Sequence, residues 1–208
     1  MGVKVKICGI SNAADARAAE AAGADFVGLI FEPSSPRAVT LAEAAKIAGC
    51  LSGSAKAVGV FVSQTSEFIA RAAEECGLSA IQLHGGISSE CADLPDFSGC
   101  EIWRAVWLES PSDVGAAEAA RCAAVVADSR LGSVSGGTGK LSDWGLAAML
   151  ARKKRLVLAG GISPENAAAA VRFVNPWAVD ANSMVEENPR SKDLKKMETL
   201  IEKIKNLK

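Results

Sequence analysis

This 208-residue chain has a single histidine, His84. Its six cysteines, at positions 8, 50, 76, 91, 100 and 122, include no pair at C-x-x-C spacing. Zinc is held by clustered Cys and His ligands, so a zinc site of the usual kinds is not expected. Net charge is also scarce: 23 Lys and Arg against 24 Asp and Glu leave −1. That balance gives no general field for nucleic acid or an anionic membrane, although a local cationic pocket stays open. No run approaches the roughly 18 apolar residues of a membrane span. Residues 1–9 lack the long apolar stretch of a secretory signal. Free thiols in a reducing compartment follow, and the expected location is the cytoplasm.

Apolar residues are plentiful, at 49%, beside 23% charged, the balance of a soluble globular protein. The length suits one domain over 1–208 with a core that needs no staples. Eight short runs rich in Val, Ile and Leu read as strands: 3–8, 26–31, 57–62, 80–83, 102–107, 123–128, 156–159 and 178–180. Several are apolar almost throughout, which suits parallel strands buried on both faces. Ala-rich amphipathic stretches alternate with them at 12–22, 41–50, 66–76, 111–121, 142–152, 163–173 and 192–206, with a short one at 88–93. Gly23 and Gly77 stand where helices stop, Thr40 where one starts, and Pro111 in a first turn. Strict alternation means right-handed βαβ units and a parallel sheet. Eight units predict an α/β fold closed as a (β/α)₈ barrel. An open doubly wound sheet is the runner-up.

Such barrels build their active sites at the C-terminal ends of the strands. The residues there are Cys8, Arg37, His84, Asp128, Gly160 and Gly161, and the stretch from Asp180 through Ser183 and Met184. A carboxylate ending an apolar strand, as Asp128 does, is costly unless used, and a helix cap or an ion pair with Arg130 is the plainer reading set beside function. Cys8 reads equally as inert core or as chemistry. His84 reads equally as a satisfied buried histidine or as a ligand contact, and Arg37 as a solvated loop residue or an anion clamp. Gly160-Gly161 precede Ser163-Pro164, a helix start, and so suggest backbone N–H groups free to hold a phosphate. The loop 135–140 has glycine but not P-loop spacing, so a lid is the better reading. The four tryptophans read as packing, and the Lys-rich tail from Lys192 as a solvated helix face.

In order along the chain, these motifs resemble the phosphoribosylanthranilate isomerase family. The matching pieces are Lys6-Ile7-Cys8-Gly9-Ile10, Ala24-Asp25-Phe26-Val27-Gly28, Ser35-Pro36-Arg37 and Gln82-Leu83-His84-Gly85. Then come Asp128 with Gly136-Gly137-Thr138-Gly139 and Asp143-Trp144, then Ala159-Gly160-Gly161 with Pro164-Glu165-Asn166. Last are Ala178-Val179-Asp180, Val185-Glu186 and Lys192-Asp193. The resemblance implies a (β/α)₈ barrel that isomerises a small phosphosugar by an Amadori rearrangement, without metal or organic cofactor, as a monomer or homodimer. It implies Cys8 as general base and Asp128 as general acid. Arg37 would hold the anthranilate carboxylate, with Asp180 near the sugar and His84 in the pocket. Gly160, Gly161, Ser183 and Met184 would hold the phosphate. A free thiol has a pKa of about 8.5, so the base needs activation. Two departures stand out. Met184 replaces a usual glycine and limits φ. Arg190 follows Pro189 where glycine is usual, and would add charge near the phosphate. The alternatives are a different phosphosugar isomerase and a non-catalytic metabolite-binding barrel. A metal-dependent epimerase would need more histidines than one.

Overall fold

The computed structural model describes residues 2–85, 97, 99–128 and 143–207. Eight parallel strands close into a barrel in chain order. They are β1 (Lys4–Ile7), β2 (Phe26–Ile30), β3 (Lys56–Phe61), β4 (Ala80–Leu83), β5 (Glu101–Trp107), β6 (Ala124–Asp128), β7 (Leu156–Leu158) and β8 (Ala178–Ala181). The described helices are α1 (Ala13–Ala21), α2 (Leu41–Ala48), α3 (Ser66–Glu75), α4 (Pro111–Ala119), α5 (Trp144–Ala151), α6 (Ala167–Val174) and α7 (Leu194–Lys205). The expected barrel is thus the observed one. The stretch 88–93, the glycine loop 135–140, Cys91 and Arg130 lie outside the described residues. No described helix is long and apolar enough to cross a membrane. The five described cysteines are free thiols.

Side chains alternate across each strand, so every second residue points into the barrel. The inward set is layered. At the N-terminal end it is apolar: Phe26, Val58, Trp103, Val126, Val157 and their neighbours form one buried cluster. Phe26 meets Trp103 edge-on at 5.1 Å, and Trp177 closes the aromatic group at 5.6 Å from Trp103. The same parity, followed toward the C-terminal ends, reaches Lys6 on β1, Gln82 on β4, Asp128 on β6 and Asp180 on β8, with Cys8, His84 and Asn182 one residue past the ends of β1, β4 and β8. The outward faces pack under the helices as a second, larger core that includes Ile7, Leu29, Ile81, Val125 and Leu158.

Local chemistry sets the element ends. Thr40 and Glu43 form a capping box at α2, and Asp143 caps α5 by accepting from Leu146 N at 3.0 Å. Gly23, with φ of 99°, turns the chain out of α1.

Two expectations on helix bounds are corrected. The helix expected at 163–173 begins at Ala167, because Ser163, Pro164 and Glu165 form a turn braced by Asn166. The helix expected from Lys192 begins at Leu194. Residues Ser191–Lys192 form β10, antiparallel to β9 (Glu186–Asn188). Asp193 starts α7 by accepting from Lys196 N at 3.0 Å. Lys192 is not solvated: its side chain is 1% exposed. It lies in the hairpin because its ammonium has a buried anionic partner, Glu186.

Candidate active site

A cavity of about 600 Å³ opens at the C-terminal end of the barrel. Every residue singled out for function lines it: Cys8, Arg37, His84, Asp128, Gly160, Gly161, Asp180, Ser183 and Met184. The strand ends of β1, β4, β6, β7 and β8 thus converge, although these residues lie far apart in sequence.

The floor is charged. Lys6 and Asp180 are paired across adjacent strands. Lys6 Nζ donates to Asp180 Oδ2 at 2.6 Å, with the lysine side chain wholly buried. Burial opposes the ammonium, but Asp180 and Cys8 outweigh it and hold Lys6 protonated, above the ordinary lysine value. Burial also pushes the Cys8 thiol and the Asp180 carboxyl upward, while Lys6 pulls both down. Asp180 Oδ1 is buried and has no hydrogen-bond partner among the described residues. Gly28 makes room for this group. A Cβ there would lie 2.7 Å from Cys8 Sγ and 3.1 Å from Lys6 Nζ. Gly9 has φ of 70°, and a Cβ on it would meet Asn182 Oδ1 at 2.6 Å and Arg37 Cδ at 2.7 Å. Both motif glycines are therefore required by close approach, and Gly9 by its turn as well.

One wall carries a second ion cluster. Arg37 grips Glu186 with Nε at 2.8 Å and Nη2 at 2.7 Å. Lys192 Nζ donates to the same carboxylate at 2.6 Å and to Asn182 Oδ1 at 3.0 Å. The grip uses the side-on edge of the guanidinium, so the end-on pair of Nη groups stays available for another carboxylate. The cluster carries two cations and one anion, which leaves one positive charge at the wall. Arg190, expected to add charge near the phosphate, does something else. Its Nη1 donates to Ala38 O at 2.7 Å and its Nη2 lies 3.6 Å from Glu43, tying the hairpin to the loop that carries Arg37.

His84 Nε2 and Gln82 Nε2 are 2.8 Å apart, which requires a neutral imidazole accepting at Nε2 or a turned Gln82 amide. Burial, aided by the charge of Lys6, pushes His84 down to about 4. His84 is thus a neutral pocket group.

Gly160 and Gly161 have φ of 80° and 70°, the left-handed region that favours glycine. Asn166 braces their turn, donating to Gly161 O at 2.8 Å and accepting from Ser163 N at 2.9 Å. Opposite, Ser183–Val185 form one 3₁₀ turn. Asn175 is the non-glycine residue of positive φ among those described, so Met184 sits in an ordinary turn. The constraint expected from losing glycine at Met184 therefore does not arise.

Lys6, Gln82, Asn182, Glu186 and Lys192 were given no role at the site from the sequence, although all but Asn182 stand in the motifs named there. Lys6 carried a usable signal: a lysine at the inward parity of Cys8, in an apolar strand, has no route to water.

The family profile for N-(5'phosphoribosyl)anthranilate (PRA) isomerase matches residues 5–203. A relative from Magnetococcus marinus, named N-(5'-phosphoribosyl)anthranilate isomerase, is 40% identical over 206 residues, covering 97% of this chain and 94% of its own. The crystal structure of phosphoribosyl anthranilate isomerase from Thermotoga maritima matches with a TM-score of 0.88 and 35% identity, over 99% of this chain and all of that one. A phosphoribosyl anthranilate isomerase solved with reduced 1-(o-carboxyphenylamino)-1-deoxyribulose 5-phosphate matches with a TM-score of 0.85 and 34% identity over 99% of this chain and 100% of that one. By its motifs in order, its barrel and its near-complete match, this chain belongs to the phosphoribosylanthranilate isomerase family.

Proposed function

We propose that this chain catalyses the Amadori rearrangement of N-(5-phosphoribosyl)anthranilate to 1-(2-carboxyphenylamino)-1-deoxyribulose 5-phosphate, a step of tryptophan biosynthesis. The observation that carries this reading is the convergence of Cys8, Asp128, Arg37 and the Gly160–Gly161 turn on one cavity. The substrate has a carboxylate at one end, a phosphate at the other and a sugar between them, and the cavity offers matching groups. Membership of a family whose relatives carry this activity in their names supports the same reaction.

Asp128 is the general acid. It protonates the furanose ring oxygen, the ring opens, and the anilino nitrogen forms an iminium with C1. The iminium makes the C2 proton acidic. Cys8, as thiolate, takes that proton and leaves an enolamine. Protonation at C1 and loss of the hydroxyl proton at C2 give the aminoketose. Arg37 receives the anthranilate carboxylate on its end-on edge, while Glu186 holds the other edge. The backbone N–H groups at Gly160 and Gly161, with those at Ser183 and Met184, receive the phosphate. Asp180 lies at the sugar and accepts from a hydroxyl through Oδ1. Metal and organic cofactors have no role in this scheme. Cytoplasmic location fits a biosynthetic enzyme acting on a small phosphosugar.

Freshly generated N-(5-phosphoribosyl)anthranilate, mixed with the protein and followed by ¹³C NMR, is expected to give a ketone carbon at unchanged mass. A folded protein that leaves the spectrum at the rate of the buffer blank overturns the proposal.

A further inference from the structure

The proposed base has to become an anion in a place that resists one. Cys8 is buried, and burial raises its thiol. The cations that act on it come from three elements: Lys6 on β1, Lys192 on β10, and Arg37 in the loop after β2. The anion Asp180, on β8, opposes them. Arg37 and Lys192 are both bound to Glu186. His84 stays neutral and feels the Lys6 charge.

Lys6 is placed differently. It stands two residues before Cys8 on the same face of the strand, and the Lys6 and Cys8 charges act on each other directly. The space left by the missing side chain of Gly28 is bordered by the sulfur on one side and the ammonium on the other. Asp180 Oδ2 fixes the ammonium from β8 at 2.6 Å. A lysine–aspartate pair that served packing alone would have both carboxylate oxygens satisfied. Here Oδ1 has no partner among the described residues, and Asp180 lines the cavity.

We infer that Lys6 is the positioning residue of the base: its ammonium is the countercharge of the Cys8 thiolate, and Asp180 holds that ammonium in place. The inference rests on the proposed reaction and deepens it. The thiol proton leaves to water, Lys6 keeps its own proton, and the thiolate then accepts the C2 proton. Lys6 touches no reacting atom and acts through Cys8.

The test reads Cys8 without substrate. Iodoacetamide alkylation across pH, resolved by peptide mass spectrometry, separates Cys8 from the other five cysteines and reports its thiolate fraction. The comparison is between Asp180→Asn and the double variant Lys6→Met with Asp180→Asn, so that removing the lysine leaves no lone carboxylate buried. Lys6→Met is expected to raise the alkylation midpoint of Cys8 by at least one pH unit, and to slow alkylation below the midpoint at least about tenfold. Lys6→Gln in the same background keeps a donor but no charge. It is expected to raise the midpoint by less, and it serves if the methionine variant does not fold. In both, the alkaline shift should reappear in the pH profile of kcat/KM, with KM unchanged. An unmoved Cys8 midpoint overturns the inference and leaves the reaction standing. A wild type with a normal Cys8 titration and no rearrangement overturns the reaction instead.

Discussion

Replacing Gly28 by alanine adds one carbon beside the proposed base. That Cβ would fall 2.7 Å from Cys8 Sγ, 3.0 Å from the α-carbon of Cys8 and 3.1 Å from Lys6 Nζ. The second of these neighbours is a backbone atom, so a turn of the thiol alone cannot relieve the crowding. Overpacking of this kind costs about 1–3 kcal/mol. For a chain of this size each kcal/mol moves Tm by roughly 2–4 °C, so Tm should fall by about 2–12 °C. The catalytic effect should be larger, because a displacement near 1 Å at a reacting group costs about 100-fold. The loss should fall on kcat, because the three nearest neighbours of the added carbon belong to Cys8 and Lys6, not to Arg37 or the turn at Gly160–Gly161. The control is Gly115→Ala within α4, where an added Cβ meets no atom within 4 Å. That change should stabilise by about 0.5–1 kcal/mol and leave kcat alone. Calorimetry and initial rates on the two variants decide the matter. A Gly28→Ala protein with wild-type kcat and Tm would refute the crowding of Cys8 and Lys6 around this position.

Glu186→Gln leaves Arg37 without its side-on anchor and Lys192 with a buried, unpaired charge. It should raise KM and destabilise by about 3–5 kcal/mol, read from progress curves and urea unfolding; an unchanged KM contradicts the clamp. Met184→Gly should leave product-analogue affinity within about twofold, because Met184 already has an unstrained backbone. Tightening by tenfold in a calorimetric titration would show that the turn is strained after all. The imidazole of His84 should titrate near 4 by NMR, well below the ordinary 6.5. Because the folded value is depressed, its contribution to stability is full above 6.5 and declines as pH falls toward 4. Wild type should therefore lose stability relative to His84→Gln over that window, and an NMR midpoint near 6.5 rules this out.

The barrel was legible because parallel strands buried on both faces read as apolar runs, and because helix signals such as Thr40 at a start and Gly23 at a stop act locally. The rim of the site was legible for a related reason. In this architecture a residue's place along its strand fixes which end it faces, and Cys8, His84, Asp128 and Asp180 all stand at strand ends. What was not legible depends on partners distant in sequence. Nothing near Lys6 announces Asp180, 174 residues away, and nothing near Arg37 announces Glu186, 149 residues away. Lys192 was assigned to the solvated face of a helix because it leads into a Lys-rich amphipathic stretch. Only the hairpin with Glu186 turns it inward. Met184 illustrates the opposite error, a constraint inferred from residue type that the local backbone does not impose.

The central claim is that Cys8 and Asp128 act as base and acid on N-(5-phosphoribosyl)anthranilate. Its most direct test is the loss of anthranilate-type fluorescence when the protein meets freshly generated substrate, beside Cys8→Ala and Asp128→Asn at matched folding. Rapid loss with wild type, reduced by at least about 100-fold in each variant, is the predicted result, in keeping with the size of general acid–base contributions. Wild-type rates in either folded variant would contradict the role of that residue, and no loss with wild type would contradict the reaction.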